Sequence, residues 1–324
     1  MHTWFYNVAG FSIASAFQLP TMEACVIPET TTPDIHIHKG SPKNIIAPTE
    51  TLALSEDLMG SRIGISGEYF WMGMPGVGEM WVRGGTDVFW LPGEQEDSGG
   101  FRTLLVNALF AIIAHQRGLL PLHLSAVRMG QYAIAFQGES GAGKSTLAIM
   151  MMKRKYPLIT EDLGIVEQIE NDALMLRPGL PYYRLWRHTL SHIDEPHDGL
   201  PLAWKRSRKH YRQVEPEWFV SHPMPLKRIY FLAEPEDNKE IKIKPLQGFD
   251  AARALMSSVL FGIYPHITEQ QKRVFRQCIE ITNHCECFQF IRPKDFEHAE
   301  TTLDMLEEHL KSLTTAQQTT NDAI

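Results

Sequence analysis

Cysteine is scarce in this chain: Cys25, Cys278, Cys285 and Cys287 are the four in 324 residues. So few in so long a chain exclude a disulfide framework. Cys285-Glu286-Cys287 is too tight for the C-x-x-C pairing of metal or redox sites, so free thiols in a reducing cytosol are expected. No apolar run reaches the roughly 20 residues that span a bilayer. The strongest, Leu104 to Ala114, is interrupted by Asn107 and reads as a core helix. The stretch from Met1 to Phe17 has no Lys or Arg, which a signal peptide would carry at its start. Positive charge is not in excess either. Lys and Arg number 31 against 38 Asp and Glu, a net charge of −7, which argues against a nucleic-acid-binding surface. No internal repeat is visible, which excludes a solenoid or propeller. What remains is a cytoplasmic globular protein whose 44% hydrophobic content can fill a sizeable core. Its length suits two domains, or one large one with an appended part.

The chain divides at about residue 100. Before it, Phe11 to Ala16, Ile35 to His38, Tyr69 to Met72, Met80 to Val82 and Val88 to Leu91 are strand candidates split by glycine-rich turns. This predicts a β-rich region over 1–98, suited to binding a substrate or partner. Gly93 to Gly100 reads as a connector. A helix from about Phe101 to Gln116 follows, stopped at Gly118. A catalytic domain is predicted over 99–312. Within it, Asp250 to Gly262, Thr268 to Thr282 and Asp295 to Leu310 have helical periodicity, and Phe288 to Ile291 reads as a late strand. Residues 313–324 are polar and aperiodic, and disorder is expected there.

The most informative stretch is Gly138-Glu139-Ser140-Gly141-Ala142-Gly143-Lys144-Ser145-Thr146, which reads G-x-x-x-x-G-K-[ST]. This is the phosphate-binding pattern of nucleotide-triphosphate enzymes. Its glycines let backbone N–H groups turn inward onto phosphate oxygens. Its lysine reaches the β- and γ-phosphates, and its Ser145 hydroxyl holds Mg²⁺. The apolar run Ala133 to Phe136 before it reads as a strand. Leu147 to Met152 after it reads as a buried helix with its N-terminus toward the phosphates. Leu122 to Val127, a turn at Met129-Gly130-Gln131 and Tyr132 to Phe136 form an antiparallel hairpin whose second strand feeds the loop. In most such proteins the loop strand is reached by helical crossovers. A hairpin points instead to a carboxykinase type of nucleotide fold. Beyond the loop, Pro157 to Thr160 and Leu163 to Val166 are strands that flank Glu161-Asp162. Of two carboxylates there, one can bind Mg²⁺ and the other can accept a proton from an attacking hydroxyl.

His123, the hairpin, Gly138 to Thr146 and Leu158-Ile159-Thr160-Glu161-Asp162 together resemble the catalytic domain of bacterial HPr serine kinases. The resemblance covers roughly residues 120 to 170. It implies an α/β fold with a mixed sheet, of the phosphoenolpyruvate-carboxykinase-like P-loop type, using ATP and Mg²⁺. Carried over residue by residue, it makes Glu161 and His123 the acid–base candidates, and Ser145 and Asp162 the metal candidates. The family has Asp where Glu161 stands here, one methylene shorter. Its long glycine-rich signature is replaced by Arg177-Pro178-Gly179-Leu180-Pro181-Tyr182-Tyr183-Arg184-Leu185-Trp186. Tyr6 to Phe11 and His115 to Gly118 also look like the stand-alone HPr-kinase-related proteins of lasso-peptide gene clusters, which phosphorylate a serine on a precursor peptide.

Lys205 to Arg212 is a basic run in an acidic chain. It reads either as a phosphate clamp, with Lys205 as first contact, or as a solvated loop. The leading expectation is an ATP-dependent serine kinase acting on a peptide or small protein, without nucleic-acid or membrane partners, and with room for a homo-oligomer. A small-molecule alcohol as acceptor, or a nucleotide-binding regulator with little turnover, are the alternatives.

Overall fold

Short apolar runs split by turns pair into sheets that bury at least one face, and the described strands of the N-terminal region pair in this way. The computed structural model describes residues 2–19, 22–29, 32–43, 45, 48, 51–53, 60–94, 108–168, 173–193, 195–196, 200, 202, 209–236 and 240–321; the side chains of 53 and 314–321 are outside the description. The N-terminal strands are β1 (Trp4–Val8), β2 (Phe11–Ser15), β3 (Ile35–Lys39), β4 (Leu52–Ala53), β5 (Arg62–Ser66), β6 (Tyr69–Met74), β7 (Gly78–Arg83) and β8 (Asp87–Pro92). They form one sheet in the order β1-β2-β3-β8-β7-β6-β5-β4. In β6, Phe70, Met72 and Met74 enter the core of the protein, while Tyr69 and Trp71 pack with Trp81 on the other face.

The helix α1 (Phe110–Gln116) lies against the core face of this sheet with Phe110, Ile112 and Ile113. Gly118, at φ +74, ends it as expected. Residues 101–107 of the expected helix, and 95–100 of the expected connector, lie outside the described residues. Leu163, Ile165, Leu180 and Tyr264 join the same core. The N-terminal sheet therefore shares its packing with the C-terminal two-thirds of the chain.

The second sheet is built from β9 (Leu120–Leu122), β10 (Leu124–Met129), β11 (Tyr132–Gln137), β12 (Leu158–Thr160), β13 (Gly164–Gln168), β14 (Leu174–Arg177), β17 (Met224–Ala233), β18 (Lys242–Pro245) and β19 (Glu286–Ile291). The order is β12-β10-β11-β17-β14-β13-β9, with β19 also on β17 and β18 beyond it. β10 and β11 are the expected antiparallel hairpin. β11 pairs parallel with β17, and β17 pairs parallel with β19. The mixed α/β architecture expected from the sequence is thus present, with a β-rich N-terminal region and helices toward the C-terminus.

Both faces of this sheet are covered. Ala133, Ala135 and Ile229 face Ala251 and Leu255 of α4 (Gly248–Met256) and Val274, Cys278 and Ile281 of α6 (Gln271–His284). Ile134, Phe136 and Tyr230 face α2 (Lys144–Lys153) and α7 (Ala299–Asn321). A two-stranded ribbon, β15 (Tyr182–Trp186) with β16 (Lys209–Gln213), carries α3 (Arg187–His192) in its connection; α5 (Ile263–Ile267) precedes α6. The four cysteines are buried and free.

Helix ends are where periodicity misleads. The segment expected to be helical as far as Gly262 leaves the helix at Met256 and turns. The last helix runs on to Asn321, through most of the stretch expected to be disordered. Polar residues without an apolar stripe can continue a helix that tertiary packing has already nucleated.

One close approach fixes the acidic turn. Gly179 donates its backbone N–H to the Ile159 carbonyl at 2.9 Å. A Cβ on it would lie 2.1 Å from Thr160 Oγ1 and 3.2 Å from Thr160 Cα. Gly179→Ala is therefore expected to lower stability by about 1–3 kcal/mol, read as a shift of the urea midpoint at constant slope.

Candidate active site

The end of β11 and the start of α2 hold Gly138 to Thr146 as the sequence predicts. Gly143 sits at φ +88, in the left-handed region, and a Cβ there would meet Arg292 Nη2 at 2.5 Å. Only glycine combines that backbone with that approach. Arg292 follows β19, and its Nη2 donates to the Ala142 carbonyl at 2.7 Å, bracing the loop. Burial pushes the Arg292 guanidinium down to about 10.

Lys144 is 5% exposed. Its Nζ donates to the carbonyls of Gly138 at 2.8 Å and Glu139 at 3.1 Å. Burial lowers its proton affinity, with Asp162 opposing. These loop carbonyls carry only partial charge, so the ammonium remains an attractive centre for an anion.

The two carboxylates at the end of β12 separate. Ser145 Oγ donates to Glu161 Oε1 at 2.5 Å. Glu161 is buried, and desolvation, with the neighbouring Asp162 adding to it, raises its proton affinity against the pull of Arg184. Asp162 turns the other way, at φ +80. Its Oδ2 accepts from Arg184 Nη2, and its Oδ1 lies 3.1 Å from His123 Nε2. Burial would raise the Asp162 pKa, but Arg184, followed by His123, holds it well below the usual carboxylate range. Arg184 Nε also lies 3.6 Å from Glu161 Oε2, so one guanidinium serves both acids.

The structure thus pairs the residues differently from the sequence reading. Ser145 and Asp162 were expected to share a metal, and Glu161 and His123 to share proton transfer. Ser145 instead meets Glu161, and His123 meets Asp162. The left-handed backbone at Asp162 is the physical reason: it sends consecutive side chains to different neighbours. Lys205 lies outside the described residues.

Two site residues carry little or no signal in the sequence, and a third lies within the basic run already noted. Arg184 is a lone charge in the apolar strand Tyr-Tyr-Arg-Leu-Trp, and that setting is the one hint of its burial. Lys209, in the basic run, lines the site. Arg292 comes from a distant strand end and carries no local signal.

These groups open on one cavity of about 870 Å³. His123, Asp162 and Arg184 line it beside Lys144, Ser145 and Thr146. Met72 and Met74 of β6, with Phe261 and Ile263, form an apolar wall. The residues fit a magnesium nucleotide. A loop with left-handed glycines at 141 and 143, a buried ammonium and a hydroxyl–carboxylate pair are the donor set that phosphate and a hard cation need.

No protein-family model matches the chain, and no curated protein matches it. Among solved structures it is similar to the Hpr(Ser) kinase/phosphatase from Coxiella burnetii, at 12% identity and a TM-score of 0.34, over 61% of this chain and 96% of that one. At that distance the chemistry has to be read from the side chains themselves. Among the described residues, no helix is long and apolar enough to cross a membrane.

Proposed function

We propose that the protein is an ATP-dependent phosphotransferase whose acceptor is a serine hydroxyl on a peptide or small protein. The observation that supports this most is the opening of Lys144, Ser145 and the His123–Asp162 pair onto one cavity. The loop N–H groups and Lys144 bind the phosphates. Ser145 and Glu161 are the residues that would hold Mg²⁺, which when bound neutralises charge on the transferring phosphoryl group. Glu161 suits that role by its geometry: its carboxylate already meets the Ser145 hydroxyl, so two oxygen ligands stand together.

Asp162 takes the acceptor proton. Its carboxylate is ionised and faces the cavity, whereas Glu161 is turned to Ser145. The acceptor oxygen then bonds to the γ-phosphorus as the bond to the β-phosphate oxygen breaks, and ADP leaves. While Arg184 grips Asp162 its basicity is low, so transfer requires that grip to loosen. His123 orients the Asp162 oxygen that it touches. The Met72, Met74 and Phe261 wall favours an acceptor that carries apolar side chains beside its hydroxyl, as a peptide does and a small polar alcohol does not. A lasso-peptide precursor is the finer form of this reading, in a cytoplasmic setting.

The test is a purified-protein assay with γ-labelled ATP, Mg²⁺ and a panel of serine-containing peptides. An acid-stable phosphoserine product is expected. An acid-labile product would contradict a hydroxyl acceptor. Nucleotide binding without transfer to any acceptor would favour a regulator. Within that assay, Ser145→Ala should raise the Mg²⁺ concentration needed for half-maximal transfer, with a defect that shrinks at high metal. A defect indifferent to metal would remove Ser145 as a ligand.

A further inference from the structure

A cavity of about 870 Å³ is near the upper end of ordinary ligand sites, which run to roughly 1,000 Å³. It is larger than the phosphates alone require. With the reacting phosphate beside Asp162 and His123, the rest of a nucleotide must leave in another direction. Thr146 marks that direction. It lines the main cavity and also a small adjoining hollow, and Arg292, Lys294 and Phe296 line both. Arg292 is 8% exposed, and its Nε is buried without a hydrogen-bond partner.

At this side of the cavity the chain gathers rings. Trp186 ends β15 and is 43% exposed. A tryptophan this open at a cavity mouth leaves an apolar face in water that a ligand could cover. It stands two residues beyond Arg184 on one strand, hence on the same face and about 7 Å further along. Lys209 is its register partner on β16 and also lines the cavity. The rings of Trp186 and His188 are 6.3 Å apart and inclined by 28°, and Phe296 meets His188 edge-on at 6.3 Å. His192 covers Phe296, stacked at 3.9 Å, which fixes that ring in place.

We propose that Trp186, with His188 and Phe296 at its edges, is the nucleobase subsite: the base of a nucleoside triphosphate stacks on the indole while its phosphates lie on the loop. This rests on the phosphotransferase reading. It gives the exposed indole of Trp186 a ligand of defined chemistry, a flat aromatic base.

Calorimetric titration of ATP and of inorganic tripolyphosphate, both with Mg²⁺, into the wild type and the Trp186→Ala and Trp186→Phe variants tests it. Stacking on an aromatic side chain predicts a roughly 5- to 100-fold weaker ATP affinity for Trp186→Ala. Tripolyphosphate affinity should not change, and Trp186→Phe should recover most of the loss. Unchanged ATP affinity, or an equal loss for both ligands, overturns the subsite. Failure of the wild type to bind either ligand overturns the phosphate loop as well, which separates the two outcomes. Because Trp186 is exposed, the variants are expected to melt at the wild-type temperature, and this is checked alongside.

Discussion

Lys144→Ala is expected to reduce phosphoryl transfer by on the order of 10³-fold or more and to weaken nucleotide binding in step. The ammonium is a point charge held by two loop carbonyls, and Lys144 itself is nearly buried. Charge stabilisation there counts for more than it would at a surface. Folding should not suffer, because removing a buried ammonium relieves a desolvation penalty; the melting temperature should be unchanged or higher. Lys144→Arg should not restore activity, since the planar guanidinium does not fit the pocket made by the carbonyl oxygens of Gly138 and Glu139. Single-turnover transfer, ATP titration and thermal melting separate these effects. A rate near that of the wild type in Lys144→Ala would remove the loop from the mechanism.

The second large effect distinguishes the adjacent acids. Asp162→Asn keeps the shape but cannot take a proton. It is expected to lower the chemical step by roughly 10²–10⁴-fold and to leave ATP binding nearly intact. Glu161→Gln should act through the metal instead, with a raised Mg²⁺ requirement and substantial recovery at saturation. The sequence alone suggested the opposite division. The revised one follows from Ser145 donating to Glu161 and His123 meeting Asp162. Single-turnover rates across Mg²⁺ and ATP concentrations decide between them. If Glu161→Gln stays slow at saturating metal while Asp162→Asn transfers at the wild-type rate, Glu161 is the base and the pairing seen here does not carry over to the reaction.

The parts of the site that could be read from the chain are those made by neighbours in sequence. The hairpin, the loop and the acidic turn are short apolar runs separated by glycine or charge, and each run forms its element locally. The contacts of Glu161 and Asp162 could not be read, because they depend on one backbone torsion. Asp is among the few residues that tolerate φ +80, which is a signal only once a left-handed turn is suspected. Strand β17 was also hidden. Its run Met224 to Ala233 pairs with β11, β14 and β19, and no local pattern announces three partners. Arg184 meets Asp162 from 22 residues away, and Arg292 meets the loop from 150. Contacts over such distances are set by the packed sheet, not by any window of sequence.

That last separation imposes an order of events on a chain made from its N-terminus. The hairpin, the loop and both acids can leave the ribosome and pair with one another while β19 is still untranslated. Until β19 docks beside β17, the Ala142 carbonyl lacks its arginine and Gly143 has open space where the guanidinium will sit. The loop is therefore braced only after Arg292 has been made and β19 has docked, although the loop and both acids are made long before. A nascent chain halted before Arg292 would carry the signature motif and remain unable to brace it.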